Sequence, residues 1–393
     1  MCNRQVRCVV LCSLAALVSV AACQPIPSPS GGIVSATPAW QLVFADNTDP
    51  NIGIADVAHT DDSFVAVGTD ASGLRVWVSQ NATDWRVVEA DNIDLSGGLL
   101  VPHAIATRGS ESVIFGEDQR GSTIALMVWL STDSTSWAAI DSPAFHAPGN
   151  LAAADITWTG QRFVAVGSEP RPEVVAPEAV VLVSQDGRSW NRIRDSDLVS
   201  DSGLAMHAVV ASSGAVIAFG SESPSGTAVL ESQDGGLTWS RTSPVALAAS
   251  TVEAAADSSK GLILGGCETT NPDQPGQTQA AVWIAPNGPS GQITVHQLDD
   301  SGGRSCVWSV DATPRGLLAG GFVDDRLVAW QSADGSNWER ATLPESMRLH
   351  DGHVRGVTHS PTVDFIVADG RSDDPGPVFG SSLAGFWAQG TRP

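Results

Sequence analysis

The chain has 393 residues, 16% of them charged, and a net charge of −22. Such a surface repels nucleic acid and anionic lipid headgroups and leaves room for cations and basic partners. The length is ample for a large core but exceeds an ordinary single domain unless the fold is repetitive.

The chain starts with targeting signals. Arg4 and Arg7 precede an apolar stretch from Cys8 to Ala22, which is too short to span a bilayer comfortably and reads as a signal segment. Its end, Val20-Ala21-Ala22-Cys23, resembles a bacterial lipobox, in which the cysteine is lipidated and becomes the mature N-terminus. The alternative is an ordinary secretory signal with an incidental cysteine. Residues 1–22 are therefore expected to be a lipoprotein signal peptide and Cys23 the lipid-bearing residue. Residues 23–38 are rich in Pro, Ser and Gly and read as a tether. Losing Arg4 and Arg7 moves the net charge from −22 to −24. Only Cys267 and Cys306 then remain in the folded part, in an oxidising compartment, and they are expected to pair.

From residue 39 onward one pattern recurs. An apolar run ends in glycine, as in Phe64-Val65-Ala66-Val67-Gly68, Phe163-Val164-Ala165-Val166-Gly167 and Leu262-Ile263-Leu264-Gly265-Gly266. A second run follows, such as Arg75-Val76-Trp77-Val78 or Ala281-Val282-Trp283-Ile284. Then comes a polar turn closed by tryptophan: Ser184 to Trp190, Ser232 to Trp239 and Ser332 to Trp338, with looser copies at Ser79 to Trp85 and Ser131 to Trp137. Short, evenly spaced β runs between Gly/Asp/Ser turns indicate an all-β fold, and a period of roughly 50 residues indicates repeats. Four strands per unit, repeated radially, predict a β-propeller over 39–393. Seven glycine-ended or equivalent runs predict seven blades. The fifth unit has no tryptophan in its turn. The last lacks a fourth strand, while Ala39-Trp40-Gln41-Leu42-Val43 has the form of a fourth strand without its first three. The segment around Trp40 is thus expected to complete the last blade and hide its edge. The regular Trp set reads as core and inter-blade packing.

The turns resemble the Asp-box (BNR) repeat of sialidase-like propellers. Ser232 to Trp239 matches the pattern Ser-x-Asp-x-Gly-x-Thr-Trp in full, and the other copies are one residue shorter. The resemblance covers about residues 39–390 and implies a turn between third and fourth strands, away from the active face, with a structural role. Calcium on such an Asp is not implied. Sialidase activity would require a tyrosine nucleophile, and the chain contains no Tyr.

A site is expected over the central channel, where first strands begin. Aligning units on the second-strand glycine places Asp56, His103, Asp155, His207, Glu253, Trp308 and Arg355 there, one per blade. Three readings are open: a solvated channel, a binding site for a polar ligand, glycan or basic peptide, or a catalytic or metal site. Asp56, Asp155 and Glu253 could supply acid/base chemistry; His103 and His207 lack a second ligand at metal spacing. His350, His353 and His359 read as loop and strand-entrance residues. The leading expectation is a non-catalytic binding or scaffold module at the cell envelope, lipid-anchored to the bacterial membrane. No cofactor, metal or catalytic residue is assigned to it. Its expected partner is an envelope protein or glycan, and the chain is expected to be monomeric. The alternative is a glycoside hydrolase or lyase acting on polysaccharide, other than a sialidase.

Overall fold

The computed structural model describes residues 40–390 except 47, 50–51, 90–98, 172–175, 223–225, 272–275, 300–302, 344–348 and 373–381. The expected signal segment, Cys23 and the tether lie outside the described residues.

Five four-stranded antiparallel sheets stand alone, and two more are joined through a single pairing, Arg326 with His350. These are the seven blades. The seventh takes three strands from the C-terminal end (Leu349–His359, Val363–Ser372, Ser382–Gly390) and its fourth from Gln41–Asp46, which pairs antiparallel with Ser382–Gly390. Each first strand packs against the first strand of the next blade, and the last returns to the first, so the ring is closed. No open-ended blade remains at the seam.

The cores lie between blades rather than within them. Trp77, Trp129, Trp283, Trp330 and Trp387 sit in third strands and are fully buried. At the outer turns, Asp186 Oδ1 accepts the N–H groups of Arg188 (2.8 Å) and Ser189 (2.7 Å), while Gly187 adopts φ +68°. Trp190 then tucks beneath and donates its indole N–H to Gly187 O at 2.9 Å. Asp234 with Trp239, and Asp334 with Trp338, repeat this arrangement. These N–H bonds hold the carboxyls of Asp186 and Asp234 down at about 2. The motif closes a turn between strands.

Cys267 and Cys306 form the expected disulfide, with Cα atoms 4.7 Å apart. It joins the second strand of blade five to the first strand of blade six.

Candidate functional site at the channel mouth

Every first strand carries a β-bulge near its start. The register slips between Ile54 and Asp56, Pro102 and Ala104, Ala153 and Asp155, Met206 and Ala208, Val252 and Ala254, Val307 and Ser309, and Val354 and Gly356. The recurring second-strand glycine is a consequence. A Cβ on Gly68, Gly116, Gly167, Gly266 or Gly321 would lie 2.0–2.3 Å from a first-strand carbonyl oxygen just before the bulge. The backbone approaches too closely there for any side chain.

A bulge turns the side chain it carries out of the strand's regular alternation. In five blades the bulge residue is the one expected from the sequence: His103, His207, Glu253, Trp308 and Arg355. In blades one and three it is Ala55 and Ala154. Asp56 and Asp155 are one residue further along, which corrects the alignment. The sequence offered no signal for this shift because alanine at a bulge looks like any small strand residue.

That single-residue offset changes what the two aspartates do. Asp56 Oδ1 accepts the Val57 N–H at 2.7 Å, and Oδ2 accepts the Ile105 N–H of the next blade at 3.0 Å. Asp155 repeats this with Ile156 (2.7 Å) and with Val209 of blade four (2.8 Å). In blade six the Ser309 hydroxyl takes the same place and accepts the Val357 N–H at 3.0 Å. Each receiving blade has Ala104, Ala208 or Gly356 at the equivalent position, small enough to admit the neighbour's polar group. Burial in the channel wall raises Asp56, and the charge of Asp155 raises it further, to about 7 despite its two N–H partners. Burial alone raises Asp155 to about 6. Burial thus pushes both carboxyls up toward the range that suits general acid/base work.

The other mouth residues are paired. His103 Nε2 lies 3.2 Å from Glu117 Oε1. Burial pushes the Glu117 carboxyl up, but contacts with His103, Gln119 and the Ala153 N–H outweigh it and hold it below the ordinary range. His207 sits between Ser221 and Glu253. Arg355 bonds Asp369 at 2.9 Å and lies over Trp308, 4.5 Å from the ring centre. Trp308 stacks on His353 with centroids 4.5 Å apart. Of the histidine trio expected in loop and strand-entrance positions, His350 and His353 lie near the start and His359 at the end of one strand, Leu349–His359, so the loop part of that expectation is corrected. His359 belongs to the far end of the channel, where Asp311 at 2.7 Å holds its imidazole above the ordinary range.

Glu117, Ser221 and Asp369 were not singled out from the sequence. All three follow the last small residue of the second-strand run, beside Thr69, Ser168, Cys267 and Phe322 in the other blades. From that position Glu117 accepts the Ala153 N–H (3.0 Å), Ser168 the Met206 N–H (2.9 Å) and Asp369 the Ile54 N–H (3.2 Å), each in the following blade. The disulfide occupies this same inter-blade position. The glycine alignment could have found them by reading one residue past the run. Among the described residues no cluster of three or more His, Cys, Asp or Glu could hold a metal ion.

No protein-family model matches the chain, and no curated protein does. Solved structures do match. A GH74 enzyme from Niastella koreensis aligns over 84% of this chain and 53% of its own, with 12% identity and a TM-score of 0.58. Trypanosoma rangeli sialidase bound to sialic acid aligns over 87% of this chain and 54% of its own, with 12% identity and a TM-score of 0.50. The α-L-arabinofuranosidase Arb93A of Fusarium graminearum covers 89% of this chain and 97% of its own, with 11% identity and a TM-score of 0.49. The chain spans about half the length of the first two. At these identities the likeness establishes the propeller fold. The expectation of a non-catalytic binding or scaffold module is corrected: the two matched structures with a TM-score of 0.50 or more are a GH74 enzyme and a sialidase.

Proposed function

We propose that the chain is a carbohydrate-active propeller that cleaves glycosidic bonds of a polysaccharide in the channel lined by its first strands. The observation that carries this reading is the pair Asp56 and Asp155, two carboxyls on the first strands of blades one and three that burial pushes up to about 7 and about 6. Bond cleavage by acid/base catalysis needs one carboxyl protonated while another is ionised, and environments that separate two such groups are the usual means. In this reading Asp56, the group with the higher value, donates the proton and Asp155 acts as base. Fold-level analogy with the matched enzymes supports the substrate class but assigns no residue. With no Tyr in the chain, a tyrosine nucleophile is absent, so the proposal is not sialidase chemistry.

The outer Asp/Trp turns fit the Asp-box repeat, and their role in this reading is to hold the blades. In this reading the segment ending at Cys23 is a lipoprotein signal, and the enzyme works outside the bacterial membrane on a lipid anchor, with a glycan as its partner. Replacing Cys23 with Ala should release the protein from membranes; unchanged fractionation would refute the anchor. The activity is tested by reducing-end release from a panel of envelope and environmental polysaccharides. Wild type should release product, and Asp56→Asn and Asp155→Asn should each lose at least about a hundredfold in rate. Release that is unchanged in both variants, or absent across the panel, overturns the reading.

A further inference from the structure

Blade four and its neighbour bring three chemically complementary side chains into line. Ser221 Oγ lies 2.9 Å from His207 Nε2, and His207 Nδ1 lies 3.2 Å from Glu253 Oε2. The three arrive by separate routes. Ser221 follows Gly220 at the end of a second strand, while His207 and Glu253 are the bulge residues of adjacent first strands. The Glu253 carboxylate beside Nδ1 favours the neutral tautomer with its proton there, which leaves the Nε2 lone pair facing the serine hydroxyl. That is the order of nucleophile, base and orienting carboxylate. His207 and Glu253 retain 24% and 28% side-chain exposure, so the group opens onto solvent.

The neighbouring blades show that the arrangement is not a by-product of the repeat. Blade two has a histidine at the bulge, but Glu117 stands where Ser221 stands in blade four, and the following blade offers Ala154. Blade three has Ser168 at the equivalent position, but alanine at the bulge, and its hydroxyl accepts the Met206 N–H. Among the described residues, only blade four places a hydroxyl on one ring nitrogen of a bulge histidine and a carboxylate on the other.

We propose that Ser221, His207 and Glu253 form a nucleophilic triad that hydrolyses carboxylic esters. Ser221 Oγ attacks the ester carbonyl carbon while its proton passes to His207 Nε2. The ester C–O bond then breaks, and the leaving oxygen takes that proton and departs as an alcohol. Water, giving a proton to Nε2, attacks the acyl-serine, and the carboxylic acid leaves as the proton returns to Ser221 Oγ. Glu253 holds the ring and stabilises the imidazolium that forms. This activity uses neither Asp56 nor Asp155, so it stands or falls separately from glycoside cleavage.

The test uses the full chain with a biotinylated fluorophosphonate, followed by digestion and mass spectrometry to locate the adduct. In parallel, p-nitrophenyl acetate hydrolysis is measured for wild type, Ser221→Ala, His207→Ala and Glu253→Gln. The adduct should fall on Ser221. Ser221→Ala and His207→Ala should lose at least about a hundredfold in hydrolysis and Glu253→Gln at least about tenfold. Locating the adduct in wild type does not depend on any variant folding. No adduct on Ser221, or equal hydrolysis by wild type and Ser221→Ala, overturns the proposal.

Discussion

Replacing Asp56 with Asn separates the electrostatic cost of this carboxyl from its hydrogen bonds. The folded state lifts Asp56 from 3.8 to about 7, first by burial and then through the charge of Asp155. A carboxyl raised on folding binds its proton more tightly in the native state. Its contribution to stability is therefore fully present below pH 3.8 and is lost as the pH rises through about 7. Between pH 5 and pH 8 that linkage removes about 3 kcal/mol from wild type. Asparagine stays neutral and keeps one acceptor for the Ile105 N–H, so its hydrogen-bond deficit is nearly the same at both pH values. The variant should thus gain about 3 kcal/mol relative to wild type on moving from pH 5 to pH 8. Urea denaturation of both proteins at the two pH values measures it. An equal stability difference at pH 5 and pH 8 would refute the reasoning and show that Asp56 stays ionised at modest cost.

Three further outcomes follow from the same geometry. Replacing Cys267 and Cys306 together by Ser opens a loop spanning 39 residues of sequence separation, which should lower stability by about 4 kcal/mol in chain-entropy terms, read by chemical denaturation with and without reductant. Gly116→Ala puts a Cβ 2.2 Å from the Val101 carbonyl oxygen, so the bulge must distort, and thermal unfolding should drop far more than for Gly214→Ala. That second site has open space around its Cβ and pays only for a φ of +84°, a cost of about 1 kcal/mol. Trp239→Phe keeps the packing of the turn but loses the indole bond to Gly236 O at 3.1 Å, so it should cost about 1 kcal/mol in denaturant midpoints.

The repeat made the architecture readable in advance because its signals are local. A turn needs Asp to accept N–H bonds, a residue such as Gly187 with positive φ, and a Trp to lie beneath, all within seven residues. The strand alternation and the glycine at the bulge are equally local, so counting them counts blades. Even the closure by the strand after Trp40 could be read, since one unit lacked a strand that another segment supplied.

The site was only partly readable because it is assembled across blades. A one-residue bulge decides whether a side chain turns out of the strand's regular alternation or caps the next strand, and that choice separates Asp56 and Asp155 from His207 and Glu253. Nothing near Ser221 in sequence announces that it will meet His207 from the adjacent strand and, through it, Glu253 from the adjacent blade. The raised carboxyls likewise depend on desolvation between first strands, a property of the closed ring. Sequence by itself determined the number of blades and the turns, because short-range hydrogen-bonding and backbone constraints are written into each unit, and the disulfide partners, because Cys267 and Cys306 are the only cysteines after residue 23. Only the tertiary structure decided which polar groups share a low-dielectric space, because that depends on the register between strands far apart in the chain.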